Sequence, residues 1–261
     1  MYLRLNCITV VCYYKNRNLQ LWLMLSKTQV FKVINMIYIT GDTHIPVDIK
    51  KLNAKNFPEQ RELSENDYVI ICGDFGGVWE NSPSDLYWLK WLNTRKFTTL
   101  FVDGNHENFE LLNTYDVVDF CGGKAHKIDD KIYLLMRGEI FQINGKSFLT
   151  FGGAESHDKE YRTSGKTWWT DEMPSADEYK NAISNLNRYK WEVDYVITHC
   201  CATSIQQEVA SNLKTNELTD FFENIKSKLT YDKWFCGHYH VDKTISNKQH
   251  IVYNKIIKLS E

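Results

Sequence analysis

The 261-residue chain is 43% hydrophobic and 25% charged, with a formal net charge of −2. That is long enough to bury a full core, and without a Lys/Arg block it gives no electrostatic case for nucleic acid or an anionic membrane. Seven scattered cysteines with no C-x-x-C spacing argue against a zinc ribbon or thioredoxin motif and suit a reducing cytoplasm.

The first thirty-five residues stand apart. Cys7–Tyr14 and Leu19–Leu25 are apolar runs separated by Lys15-Asn16-Arg17-Asn18. Neither reaches the roughly 18–20 residues of a membrane span, and no small-residue cleavage site follows. A β-hairpin turning at Asn16–Asn18, an extra helix and a translated upstream region all fit; the last is preferred. Residues 1–35 are then a non-native or poorly ordered extension, and a single domain covers 36–261, beginning at Met36.

Ile37–Thr40 reads as a buried strand, followed by Asp42 and His44. A short helix is predicted over Ile49–Phe57. Tyr68–Cys72 is a second strand, running into Gly73-Asp74-Phe75-Gly76-Gly77. Ser82 or Ser84 caps a helix over Asp85–Arg95. Thr98–Val102 is a third strand, running into Asp103-Gly104-Asn105-His106-Glu107. Alternating strands and helices predict an α/β sheet, which binds ligands at the carboxyl ends of its strands.

The period then changes. Lys131–Met136, Glu139–Ile143 and Ser147–Phe151 are short strands, with the hairpin signal Asn144-Gly145 between the last two. The middle of the chain reads as antiparallel, a second sheet. Gly152–Ser175 is a long structured loop, and Ser175 starts a helix through about Trp191. Tyr195–Thr198 is a strand ending at His199; Glu217–Leu229 is helical. Lys233–Cys236 leads into Gly237-His238-Tyr239-His240, and an alternation over Lys243–Ile257 closes the domain.

Asp42, His44, Asp74, Asn105, His199, His238 and His240 all fall just after predicted strands. Oxygen and imidazole donors without thiolate suit manganese, iron or zinc. Seven side chains are too many for one tetrahedral ion and about right for two ions sharing a carboxylate. Each residue alone is as well explained by a satisfied polar group; the set together is not. His126, His157 and His250 have no place in this pattern. Asp103 reads as a turn or hydrogen-bonding residue.

The ordered blocks Asp42-x-His44, Gly73-Asp74, Gly104-Asn105-His106-Glu107, His199 and Gly237-His238-x-His240 resemble the calcineurin-like metallophosphoesterases. The resemblance implies a two-sheet α/β/β/α sandwich with a dinuclear centre between the sheet edges. It places Asp42, His44, Asp74 and His240 on one ion and Asp74, Asn105, His199 and His238 on the other, with Asp74 bridging. His106 becomes the acid or transition-state donor, and Glu107 the residue orienting it. The implied nucleophile is a hydroxide bridging the ions. The stretch Asp158–Arg162 with Gly165–Trp169, Glu172 and Pro174, and Arg137-Gly138 before the hairpin, look like those of bacterial and phage members.

Phosphate ester hydrolysis needs a nucleophile at neutral pH, charge stabilisation and a proton for the leaving oxygen. The expected protein is a cytoplasmic phosphatase or phosphodiesterase with two divalent ions, Mn or Fe/Zn. Its expected substrate is a phosphorylated small molecule or nucleotide, ahead of a protein, with nucleic acid less favoured and no membrane partner. The alternative is a non-catalytic scaffold of the same fold that binds partners. Arg137 and Arg162 are candidate phosphate-binding forks, with surface ion pairing as the competing role. Trp168 and Trp169 could stack on a ring, though loop packing fits better.

Overall fold

The structure, a computed structural model, describes residues 35–259 and, before them, the backbone of three strands. The chain divides into two compact units, Met1–Ile34 and Asn35–Glu261. In the first, β1 (Arg4–Leu5), β2 (Ile8–Lys15) and β3 (Asn18–Met24) form an antiparallel sheet, with Lys15 paired to Asn18. This is the hairpin alternative; its tip at Asn16 lies outside the described residues.

The second unit opens with β4 (Ile37–Thr40), β5 (Tyr68–Ile71), β6 (Thr98–Phe101), β7 (Val117–Phe120), β8 (Gly123–Asp129) and β9 (Ile132–Leu135). It continues with β10 (Ile140–Ile143), β11 (Lys146–Phe151), β12 (Tyr195–Thr198), β13 (Lys233–Cys236), β14 (Lys243–Thr244) and β15 (Gln249–Ile251). The last strand, β16 (Ile257–Lys258), returns to the first sheet. One sheet has the order β16-β4-β5-β6-β9-β8-β7, the other β10-β11-β12-β13-β15-β14. Strands β4, β5, β6 and β9 are parallel, as are β11, β12, β13 and β15.

Successive residues of each central strand serve different layers, because side chains alternate across a sheet. Ile37, Ile39, Ile70, Leu100, Phe148, Ile197 and Phe235 meet between the two sheets. Tyr38, Val69, Ile71 and Phe101 face outward onto Leu89 and Leu92 of α1 (Pro83–Asn93). On the far side Leu149, Phe151 and Val196 pack with Leu186 of α3 (Ala176–Arg188) and Phe222 of α5 (Glu217–Lys228). Two short helices complete the set, α2 (Phe109–Leu112) and α4 (Thr203–Val209). The result is the α/β/β/α sandwich expected from the sequence. Both faces of the central strands are covered, which is why they read as mostly apolar stretches and not as alternating patterns.

Local chemistry explains the helix starts. Ser82 and Ser175 each form a capping box, with Asp85 and Glu178 respectively; such a cap contributes about 1 kcal/mol. Ile49–Leu52 is a 3-10 helix rather than the longer helix predicted over Ile49–Phe57. The antiparallel middle is corrected more substantially. The β8–β9 pair belongs to the first sheet, and the β10–β11 hairpin opens the second. Both β9 and β11 then add parallel partners. A period of two reveals a strand and a turn reveals a hairpin, but neither names the outer neighbour.

Candidate metal centre

The carboxyl ends of five parallel strands converge on one place. Strand β4 delivers Asp42 and His44, β5 delivers Asp74, and β6 delivers Asn105 and His106. From the other sheet, β12 delivers His199, and β13 delivers His238 and His240. Each polar group sits where a strand stops pairing and its backbone is free to turn. His44, Asp74, His238 and His240 take positive φ values of 32°, 46°, 68° and 50°. Non-glycine residues rarely do so, at a cost of about 1–3 kcal/mol each, and such strain persists where surrounding packing enforces it.

The motif glycines make room for this. A Cβ on Gly104 would lie 2.0 Å from Asp74 Oδ1, and one on Gly237 would lie 2.1 Å from Asp42 Oδ1. The loops are also tied to one another. Thr43 and His44 donate their backbone N–H groups to the Asp74 carbonyl at 3.0 and 2.9 Å. The His106 N–H donates to Asp74 Oδ1 at 2.8 Å, and the His238 N–H reaches both Asp42 oxygens at 3.1 Å.

Two groups of side chains have ligand atoms mutually within 4.8 Å: Asp42, His44, Asp74 and His240, and Asp74, His199 and His238. Asp74 belongs to both, and its two oxygens divide between them. Oδ2 is 3.1 Å from His44 Nε2, and Oδ1 is 3.3 Å from His199 Nε2. Asn105 Oδ1 joins the second group at 3.3 Å from His199 Nε2. His240 Nε2 is 3.2 Å from Asp42 Oδ2, with its side chain half exposed. The far ring nitrogens are anchored too: His44 Nδ1 on Asp48 Oδ2 and His199 Nδ1 on the Cys72 carbonyl, each at 2.8 Å. That leaves Nε2 of both rings facing the centre, the orientation an imidazole ligand requires.

The electrostatics ask for cations. Burial works against a proton on His44, but Asp74, then Asp42 and Asp48, outweigh it and push the pKa up to about 9. Burial likewise opposes His199, and Asp74 and Asp42 carry it up to about 10. Asp74 is buried yet held well below the usual carboxylate range by His199 and His44. His238 is pushed well below its usual value by burial and by His199, so it presents a neutral ring. The preformed donor set, four imidazoles with two carboxylates and an amide oxygen, fits divalent metal ions.

His106 lies beside these groups, its ring 5.3 Å from that of His44. Burial lowers its pKa, with Arg162 and His44 adding to the effect and Asp74 opposing it. Arg162 flanks the ring, with Nη2 at 3.1 Å from His106 Nε2 and Nε at 2.7 Å from Asp158. Arg137 is elsewhere. It is 6% exposed and paired with Asp103 through Nε at 2.9 Å and through Nη2, which also donates to the Asp171 carbonyl at 2.8 Å. The expectation that Arg137 binds phosphate is therefore corrected: its donors are already engaged by buried Asp103, by the Asp171 carbonyl and, through Nη1 at 3.4 Å, by Glu178. Glu107 is corrected in its contact. Its fully buried carboxylate accepts from the N–H groups of Phe75 at 2.7 Å and Gly76 at 3.3 Å, supporting the Asp74 loop instead of His106. Burial, then Asp74, raises its pKa to about 8.

Among the residues set aside, His157 does reach the centre, its ring 5.9 Å from that of His238. His126 binds the Tyr115 carbonyl and His250 stacks on Phe235, both away from it. Trp169 is buried against Trp79, as loop packing predicted. Sequence reasoning missed Asp48, whose one signal was a carboxylate four residues beyond His44. It also missed Lys51, a buried ammonium that donates to the Asp42 carbonyl at 2.7 Å.

A two-sheet sandwich with carboxylates and imidazoles at the joined strand ends defines a metal-binding hydrolase of the phosphoesterase type. A family model described as calcineurin-like phosphoesterase matches residues 36–242, and the chain belongs to that family. It is a metal-dependent hydrolase acting on phosphoester bonds. No curated protein sequence matches the chain significantly. Among the described residues, no helix is long and apolar enough to cross a membrane.

Proposed function

We propose that the protein hydrolyses phosphate esters with two divalent ions bound side by side. Asp42, His44, Asp74 and His240 would hold one ion, and Asp74, Asn105, His199 and His238 the other. The observation that carries this reading is the division of the Asp74 oxygens between two ligand groups. When bound, the ions supply a water of lowered pKa and charge neutralisation at the phosphoryl oxygens.

The chain's own residues supply the rest. His106, beside the ligand groups and outside them, hands a ring proton to the leaving oxygen. Arg162, already against His106, forks onto the phosphoryl oxygens. Glu107 fixes the backbone of the loop that carries Asp74. The substrate proposed is a phosphorylated small molecule or nucleotide, met in the cytoplasm, with manganese or an iron–zinc pair as the ions.

The test is metal analysis joined to turnover. Aryl phosphomonoesters, phosphodiesters and dinucleotide polyphosphates are offered with manganese. Wild-type protein is expected to hold two equivalents and to prefer one ester class. His106→Ala should keep both equivalents while kcat falls by about 10²–10⁴-fold. Two bound ions with no turnover on any ester would favour the scaffold reading instead.

A further inference from the structure

The long segment between β11 and α3 touches a ligand residue of the metal centre through Ser156. Asn105 Nδ2 donates to Ser156 Oγ at 3.2 Å. Ser156 Oγ donates to Glu172 Oε2 at 2.6 Å, and Ser156 N donates to Glu172 Oε1 at 2.9 Å. Lys159 Nζ pairs with that same Oε1 at 3.2 Å. Glu172 is fully buried and Ser156 is 4% exposed, so water does not compete for these bonds.

The chemistry of the groups gives the chain of bonds a direction. An ionised carboxylate only accepts, and a hydroxyl has one proton to donate. Ser156 directs its proton to Glu172, which leaves only lone pairs facing Asn105. The amide must then offer its NH2 end to Ser156. Its Oδ1 end is thereby turned to the centre, next to His199 Nε2. The two ends of an amide are nearly identical in size, so hydrogen bonding and not packing decides between them. The reverse orientation would aim N–H donors at the place where a cation must bind.

We infer that Ser156 and Glu172 are positioning residues of the metal centre: through the Ser156 hydroxyl, Glu172 sets which end of the Asn105 amide faces the ions. The inference rests on the two-ion reading above. It also gives the loop that carries Arg162 a second role, completion of the Asp74–His199–His238 group.

The experiment is calorimetric titration of metal-free protein with manganese, alongside electron paramagnetic resonance of the spin-coupled pair. Ser156→Ala is expected to weaken one of two equivalents by about 10–100-fold, the usual effect of removing a partner behind a ligand, and to reduce the coupled signal. Ser156→Thr keeps the hydroxyl and should restore both. The decisive comparison is Ser156→Ala in an Asn105→Asp background, where an oxygen stands at either end of the side chain. There the substitution should have little further effect. Wild-type affinity at both equivalents in Ser156→Ala overturns the inference. So does equal weakening at both ions, or the same loss in both backgrounds, since either would mean a structural role alone. A wild-type protein that takes up no manganese overturns the two-ion reading and the relay together.

Discussion

Arg162 lies against His106, whereas Arg137 is enclosed by Asp103, Glu178 and the backbone of Asp171. The two guanidiniums should therefore fail differently when removed. Arg137→Met leaves Asp103 buried without its partner, a loss of about 3–5 kcal/mol. For a domain of this size that lowers Tm by about 6–20 °C, while kcat of the folded protein is unchanged. Arg162→Ala removes a charge-assisted contact of about 1.5–3 kcal/mol. Its kcat/KM should fall by about 10–100-fold with Tm little altered; a thermal scan beside steady-state kinetics checks both. Titration gives a further prediction at this scale. Before metal binds, Asp74 and Asp42 push the pKa values of His44 and His199 up, to about 9 and about 10, which favours a proton on each ring near neutral pH. A protonated imidazole cannot ligate, so manganese must displace a proton from each. Affinity should rise with pH toward that range, with about two protons released per loaded centre. Calorimetry in buffers of different protonation enthalpy counts them, and a count of zero would refute the assignment. The residue types at the centre were legible in the sequence because each follows an apolar strand. The fate of the arginines was not: whether Arg137 meets a phosphate or Asp103 depends on how two loops distant in sequence pack.

Strand ends supply the ligands, and the turns after them supply the angles. Gly104 shows how tightly this is built, with no room for a methyl group between its backbone and Asp74. Gly104→Ala should push Asp74 away from both ligand groups at once. Manganese affinity is then expected to fall at both equivalents, by about 10–100-fold or more, in contrast to the one-ion effect expected from Ser156→Ala. Metal titration of the folded variant checks it, and loss at one ion alone would argue against a shared Asp74. The parallel strands β4, β5, β6, β12 and β13 were all readable as short segments with an apolar stretch of three or more residues. Strand β7, exposed at a sheet edge, carries too weak a pattern to stand out. Helix α4 lacks a side-chain cap at Ala202, so its start left no signal in the sequence.

At the scale of the whole molecule, metal binding is expected to stabilise the fold. The centre joins the ends of two sheets, and anything bound there ties both halves of the sandwich. At 100 times its Kd a single ion adds about 2.7 kcal/mol, or about 5–11 °C in Tm for a domain this size. Chelation should reverse that shift and abolish turnover, with readdition of manganese restoring both. We propose that the unit responsible is 36–261. Its compactness apart from Met1–Ile34 and the family match from residue 36 support this. A chain beginning at Met36 should show the same metal-dependent rise in Tm as the full chain.

The sequence by itself determined the fold class, the residue types of the metal centre and their order along the chain. These are local matters: an apolar run declares a buried strand, and a polar side chain just past it declares what the strand presents. Only the tertiary structure decided which sheet each middle strand joins, that Glu107 supports the Asp74 loop, that Arg137 is enclosed, and that Glu172 stands behind Asn105 through Ser156. Those outcomes depend on contacts between segments tens of residues apart, where no periodicity or spacing carries the information.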